Sequence, residues 1–276
     1  MATPWRLRPK SRLTAAWLAQ KEADDACVSA VEQLLKDHSM RPHVVWLRAR
    51  LGMENDRLRV VTQAVEMLSP RSVNIVNAIY LNPGKYLNDK LTAIQPKTRE
   101  LVSLALIRQA FLEPLDAAVE VEKLRWKAQL TQEERSWIWG VIGKRAAQKL
   151  SDDASGYFAK GQLTQMHEDH LAWAVRAALR AGNWKQVHDA IAAMPAGVRS
   201  ESIWTYWQAR ALLAQANNES SRAEAVRMFE SIAGVRGFYE QLALEEIGQR
   251  ITTPERPLPL TPEEKEAARQ NNGLNR

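Results

Sequence analysis

A lone cysteine, Cys27, is all the thiol chemistry that 276 residues offer. It excludes an intramolecular disulfide and any cysteine-built zinc site, and for a chain of this size it does not distinguish cytoplasm from periplasm. None of the 12 glycines forms a phosphate-cradling loop. No Gly-x-Ser-x-Gly elbow and no cysteine–histidine pairing occurs, so nucleophilic catalysis has no visible carrier. Sustained alternation of β-branched residues is missing as well, which argues against strands. No apolar run approaches the length that crosses a membrane. The opening MATPWRLRPKSRLTAAW has positive charges but no apolar core, so it is not a secretory signal peptide. The expectation is either a cytoplasmic chain or a piece of a longer exported precursor.

What is present is a repeat. The stretch from Trp204 to Ile251 reads as two packed helices and a third. Trp204, Trp207, Ala211 and Leu212 share one helical face, and Ala223, Val226, Phe229 and Ile232 share another. Between them Asn217-Asn218-Glu219-Ser220 is a turn, and Gly234 is expected to end the second helix in the left-handed conformation. Trp207 lies 34 residues after Trp173, which lies 34 after Trp139; one more step back reaches Ala105. Arginine recurs three places on, at Arg108, Arg176 and Arg210. A period of 34 is the length of one helix-turn-helix unit. One hairpin cannot bury its apolar face alone, and stacked neighbours can. The predicted fold is all-α, a superhelix (α-solenoid) of stacked helical hairpins with a period near 34 residues.

In chain order, residues 1–21 form a basic arm and first helix, 22–251 the helical repeats, and 252–276 a Pro-rich linker with the start of a further element. Helices are predicted over 11–20, 23–36, 43–51 and 57–68, the last two joined by a turn at Gly52-Met53-Glu54-Asn55. Further helices follow to Tyr80, over 86–93 and from Pro96 to Phe111. A single helix is expected over 115–129, because Pro114 suits a first helical turn. Thr131 and Glu134 make a capping box, in which each side chain satisfies the other end's free backbone N–H. Ser151-Asp152-Asp153 caps a helix that Gly161 closes, and 165–180 pairs with 184–194 across Ala181-Gly182-Asn183. Pro254, Pro257, Pro259 and Pro262 extend the chain, and Thr261 with Glu264 opens a last helix.

The net charge of +6 is concentrated: Arg6, Arg8, Lys10, Arg12 and Lys21 all precede the first acid, Glu22. The repeats are nearly neutral, so the basic arm reads as a solvated terminus and no nucleic-acid partner is expected. His167 and His170 share a helical face, as a metal pair would, but lack further ligands; they read as surface histidines among acids. No metal, no cofactor and no catalytic residue is assigned. Core packing is the reading for Trp139, Trp173 and Trp207. Trp204, Tyr206, Phe238 and Tyr239, with Arg176 and Arg210, are the candidate contacts to a glycan or a partner, because such side chains stack on sugars and anchor interfaces.

Three segments carry a family likeness: Trp204-Thr-Tyr-Trp-Gln-Ala-Arg-Ala, Gly234 to Gly248 around Phe238-Tyr239, and Gly182-Asn-Trp184 running to Met194-Pro195. Together with the Pro-rich exit and Asn272-Gly273-Leu274, they resemble the superhelical region of soluble lytic murein transglycosylases. The resemblance spans most of the chain and is strongest from Trp137 onward. It implies a periplasmic protein acting on peptidoglycan, whose family cleaves the MurNAc–GlcNAc bond to a 1,6-anhydromuramoyl product. It also implies a C-terminal lysozyme-like catalytic domain with a Glu-Ser motif followed by Gly-Leu-Met-Gln. Here Glu201-Ser202, Glu219-Ser220 and Glu230-Ser231 all lie in repeat helices, and none is followed by that segment. The catalytic domain is therefore expected beyond Arg276, and this chain is read as a non-catalytic scaffold that holds glycan strands or the catalytic domain. The alternative is a free-standing helical-repeat adaptor for a protein partner.

Overall fold

The structure, a computed structural model, describes residues 9–252, 256 and 258–271. The basic residues Arg6 and Arg8, the linker prolines Pro254 and Pro257, and Asn272-Gly273-Leu274 lie outside them. Among the described residues every regular element is a helix. The chain divides into two compact units, Met1–Arg199 and Ser200–Arg276.

The first unit opens with α1 (Pro9–Ala19) and α2 (Asp25–Lys36), then the hairpin α3 (Pro42–Glu54) and α4 (Leu58–Leu68). A turn of 3-10 helix leads to α5 (Val73–Leu81) and α6 (Pro83–Asp89). Three more hairpins follow: α7 (Pro96–Leu112) with α8 (Pro114–Val121) and α9 (Leu124–Gln129), α10 (Gln132–Gln148) with α11 (Ala154–Ala159), and α12 (Glu168–Arg180) with α13 (Trp184–Ala192). The short α14 (Ala196–Arg199) closes the unit. The second unit holds α15 (Ser202–Gln215), α16 (Glu219–Ile232), α17 (Phe238–Glu246) and the exposed α18 (Pro262–Gln270).

The repeat register places Ala105, Trp139, Trp173 and Trp207 on α7, α10, α12 and α15, the first helix of each hairpin. Within the first unit these first helices pack in succession, α3 on α7, α7 on α10 and α10 on α12, each with its own second helix behind. The central pair, α7 and α10, is buried on nearly every face, from Glu100 to Arg108 and from Ser136 to Lys144. Helices so enclosed form the middle of a core and not its surface. Local signals hold where local chemistry decides: both capping boxes form, at Thr131/Glu134 and Thr261/Glu264, and Gly182 takes its turn at a positive φ of 66°.

Several boundaries differ from expectation. Gly52, Met53 and Glu54 are not a turn but the buried last turn of α3; the chain reverses at Asn55–Arg57, with Asp56 left-handed at φ 61°. The expected 115–129 helix breaks between α8 and α9 because Glu120 turns inward. It accepts from Trp126 Nε1 at 2.8 Å and pairs with Arg125 at 2.8 Å, which the straight helix does not allow. The predicted 86–93 helix begins earlier, at Pro83, capped by Asn82, and ends at Asp89. Gly234 does not take the left-handed conformation: α16 stops at Ile232 because Ala233 turns extended.

Candidate functional site

Two groups of buried charges cross the middle of the first unit. In the first, Glu54 at the end of α3 is 1% exposed and accepts from His170 Nε2 of α12 at 2.9 Å. Lys144 of α10 reaches the same carboxylate at 3.3 Å and Asp169 at 2.5 Å. Arg145 donates to the Glu54 carbonyl and rests on the Phe111 ring, 4.1 Å from its centroid. Burial alone would raise the Glu54 carboxyl; His170 and Lys144 outweigh it and hold it at about 2. Burial likewise opposes the charge on Lys144, yet Glu54 and Asp169 raise its pKa. In the second group, fully buried Arg50 forms a two-toothed pair with Glu100, 3.0 Å on each arm, and reaches Glu133 at 2.5 Å. Here burial prevails over Arg50 and lifts Glu100 to about 7.

Trp137 joins the groups, with the Arg50 guanidinium 5.6 Å from its ring and His170 edge-on at 5.3 Å. His170 fits against α10 only because residue 140 is glycine: a Cβ there would stand 2.5 Å from its Nδ1. His167 and His170 are therefore not a surface pair. His170 is fully buried on Glu54, and His167 caps α12 by accepting from the Asp169 N–H at 3.3 Å. Burial, then the neighbouring His170, lowers the His167 pKa. Among the described residues no cluster of histidine, cysteine and carboxylate side chains is arranged to hold a metal.

Above these groups lies a cleft of about 870 Å³ between α1, α3, α10 and the approach to α12. The half-buried Trp173 supplies its aromatic surface, with Trp137 buried behind the wall, and Gln20, Arg48, Arg145 and Gln165 line its polar side. Arg48 is held by the backbone carbonyls of Leu18, Gln20 and Glu22, which fixes α1 and the loop after it against α3. Four cleft residues carry a buried polar atom without a protein partner: Gln20 Oε1, Gln165 Oε1, Trp137 Nε1 and Arg145 Nε. Two accept and two donate. Buried polar atoms are ordinarily paired, so the hydrogen bonding behind the cleft wall is incomplete at these four atoms.

The candidate contacts named from sequence fall elsewhere. Trp204 and Tyr206 are buried in the second unit, at 5% and 4% exposure. Tyr206 belongs to the core with Ala209, Ala225, Phe229 and Ala243, and Tyr239 packs on it. Its hydroxyl donates to Glu246 at 3.0 Å, and Arg210 pairs with the same carboxylate at 2.5 Å. Both tie α15 to α17 and have an evident structural role. Phe238 is exposed, edge-on to Tyr239. Arg176 is exposed in the first unit with its guanidinium over Trp173.

Comparison with known proteins follows the same helices. The soluble lytic murein transglycosylase of Escherichia coli K12 is 23% identical over 242 residues, 84% of this chain and 36% of that protein. That of Salmonella typhimurium is 24% identical over 248 residues, 86% of this chain and 37% of that protein. This chain is similar to soluble lytic murein transglycosylases. It spans little more than a third of the length of these curated relatives. Among solved structures, an inactive mutant of the lytic transglycosylase Slt from Pseudomonas aeruginosa superposes with a TM-score of 0.60 at 22% identity, over 97% of this chain and 44% of that one. The 70 kDa soluble lytic transglycosylase of Escherichia coli gives 0.54 at 20% identity, over 92% and 42%. These transglycosylase structures share the fold, the all-helical solenoid. No family model matches the chain.

Proposed function

We propose that the chain is the non-catalytic helical scaffold of a lytic-transglycosylase-like protein of the periplasm, and that it positions peptidoglycan glycan strands for a separate lysozyme-like domain. The observation that carries this reading is the cleft: the half-buried Trp173 for stacking, beside the side-chain amides of Gln20 and Gln165, which both donate and accept. Sugar hydroxyls both give and accept hydrogen bonds and carry apolar C–H faces, so they match such a lining better than an anion, which needs donors alone. Similarity to soluble lytic murein transglycosylases over most of the chain supports the same substrate. Cleavage of the MurNAc–GlcNAc bond to a 1,6-anhydro product belongs, on this proposal, to the other domain, and neither cofactor nor nucleic acid takes part.

Co-sedimentation with purified sacculi tests the reading. The chain is expected in the pellet, and Trp173→Ala, which removes one stacking face of the cleft, is expected to leave more of it in the supernatant. A chain that stays soluble beside sacculi while capturing a specific protein would replace the scaffold by an adaptor.

A further inference from the structure

Three large apolar side chains stand out from the first unit beside α9. Leu91 and Ile94, in the loop between α6 and α7, are 74% and 75% exposed, and Leu124, the first residue of α9, is 81% exposed. Hydrogen bonds lay the loop along the helix. Arg125, next to Leu124, donates to the carbonyl of Lys90, next to Leu91, at 3.3 Å, and Gln129 accepts from the Ala93 N–H. Arg99 holds the Ile94 carbonyl at 2.9 Å. Behind them Ala93 and Trp126 are fully buried, the latter with its Nε1 on Glu120. A single exposed leucine is ordinary; three such side chains on two segments bonded to each other form a patch.

The same segments are basic. Residues 89–97 and 122–128 carry Lys90, Lys97, Lys123, Arg125 and Lys127 against Asp89 and Glu122. Glu120, buried behind them, is shared by Lys123 and Arg125, which still leaves two positive charges in excess. Glu122 is taken by Lys127 and Lys160, and Lys90 and Lys97 stand outside these pairs. Interfaces between proteins are poor in lysine and rich in exposed aromatic residues; here lysine abounds and the tryptophan is buried. Apolar tips standing singly among lysines suit a fluid layer that closes around each tip and carries negative charge over it. Leucine and isoleucine enter the boundary of headgroups and acyl chains, while lysine stems lie along it with their ammonium groups among anionic headgroups. Among the described residues no helix is long and apolar enough to cross a membrane, so the contact is peripheral.

We propose that this surface docks on an anionic phospholipid bilayer, with Leu91, Ile94 and Leu124 in the headgroup–acyl boundary and Lys90, Lys97, Lys123 and Lys127 on the headgroups. The inference is independent of glycan binding, since none of these residues lines the cleft. Vesicle flotation is the test. Vesicles of about three parts phosphatidylglycerol to seven of phosphatidylcholine are expected to carry the chain up a density gradient, and vesicles of phosphatidylcholine alone to leave it at the bottom. Leu91→Ser combined with Leu124→Ser, exposed changes whose fold is checked by circular dichroism, is expected to weaken partition at least about tenfold. Lys90→Gln combined with Lys97→Gln is expected to weaken it about tenfold as well. Both double variants keep the basic residues of the amino terminus, so these losses belong to the patch. No flotation with the anionic vesicles overturns the proposal. Flotation undiminished by the two leucine changes also overturns it, since charge alone would then account for the attraction. Capture by an acidic protein without any flotation would assign the patch to a protein partner and overturn it too.

Discussion

Replacing Glu54 by glutamine keeps the volume of the side chain and removes one charge from the centre of the first unit. The carboxylate is 1% exposed and faces His170 and Lys144. Its pKa is held at about 2 against an ordinary 4.5, a depression that corresponds to roughly 3 kcal/mol of stability. Breaking a buried pair by removing one partner costs about 3–5 kcal/mol in general. The lower end is expected here, because Lys144 keeps Asp169 at 2.5 Å. The sign follows from the depressed folded pKa: the contribution is complete above about pH 4.5 and is lost as the pH falls towards 2. Urea unfolding followed by tryptophan fluorescence at pH 7 should show Glu54→Gln less stable by about 3 kcal/mol with the slope unchanged. At pH 3 the difference should shrink to less than half of that. Asp169→Asn, whose side chain is 44% exposed, should cost no more than about 1 kcal/mol. A loss below about 1 kcal/mol for Glu54→Gln at pH 7, or one that does not diminish on acidification, would refute the account of the buried pair.

Other changes follow from the same packing. Gly140→Ala sets a methyl 2.5 Å from the His170 ring and is expected to cost about 1–3 kcal/mol in thermal or chemical unfolding, as overpacking does. Glu100, lifted to about 7, has the opposite pH dependence to Glu54: its contribution is complete below about pH 4.5 and is lost as the pH rises through 7. Glu100→Gln should therefore flatten that part of the stability–pH curve measured by thermal melts. Trp126, fully buried with its Nε1 on Glu120, should lose about 3–5 kcal/mol as alanine, read by urea titration. The exposed Lys185–Asp189 pair should contribute no more than about 0.5 kcal/mol in a double-mutant cycle.

The repeat was legible because it is written in side chains that act on their own turn of helix. Thr131 and Glu134 specify a helix start from four adjacent residues, and α15 begins at Ser202 and ends at Gln215 as the apolar spacing indicates. The charged interior was not. Arg50, Glu54 and Glu100 look like ordinary solvated positions, and their partners stand 50 to 116 residues away. Glu54 sits beside Asn55 in a stretch that reads as a turn, although its helix continues inward. The break after α8 has the same origin: Glu120 answers to Trp126 and Arg125, and no helical periodicity announces that. Trp204 and Tyr206 lie in the core of the second unit while Phe238 is exposed, a difference that helical spacing alone does not show, because an aromatic residue looks alike whether it faces core or solvent. The cleft was hidden for another reason, since its glutamines and arginine come from segments distant in sequence.

A linear array of hairpins has mostly neighbourly contacts, and each unit can fray without consulting the rest. The bond from His170 back to Glu54 links residues 116 apart and passes over two intervening hairpins, those of α7 and α10. It closes a long loop, which slows the search for the native arrangement. In return, α3 and α12 cannot loosen separately without stranding a buried charge. The first unit is thus expected to open as one cooperative block, with amide protons of α3, α10 and α12 exchanging in a single late step instead of in a procession from either end.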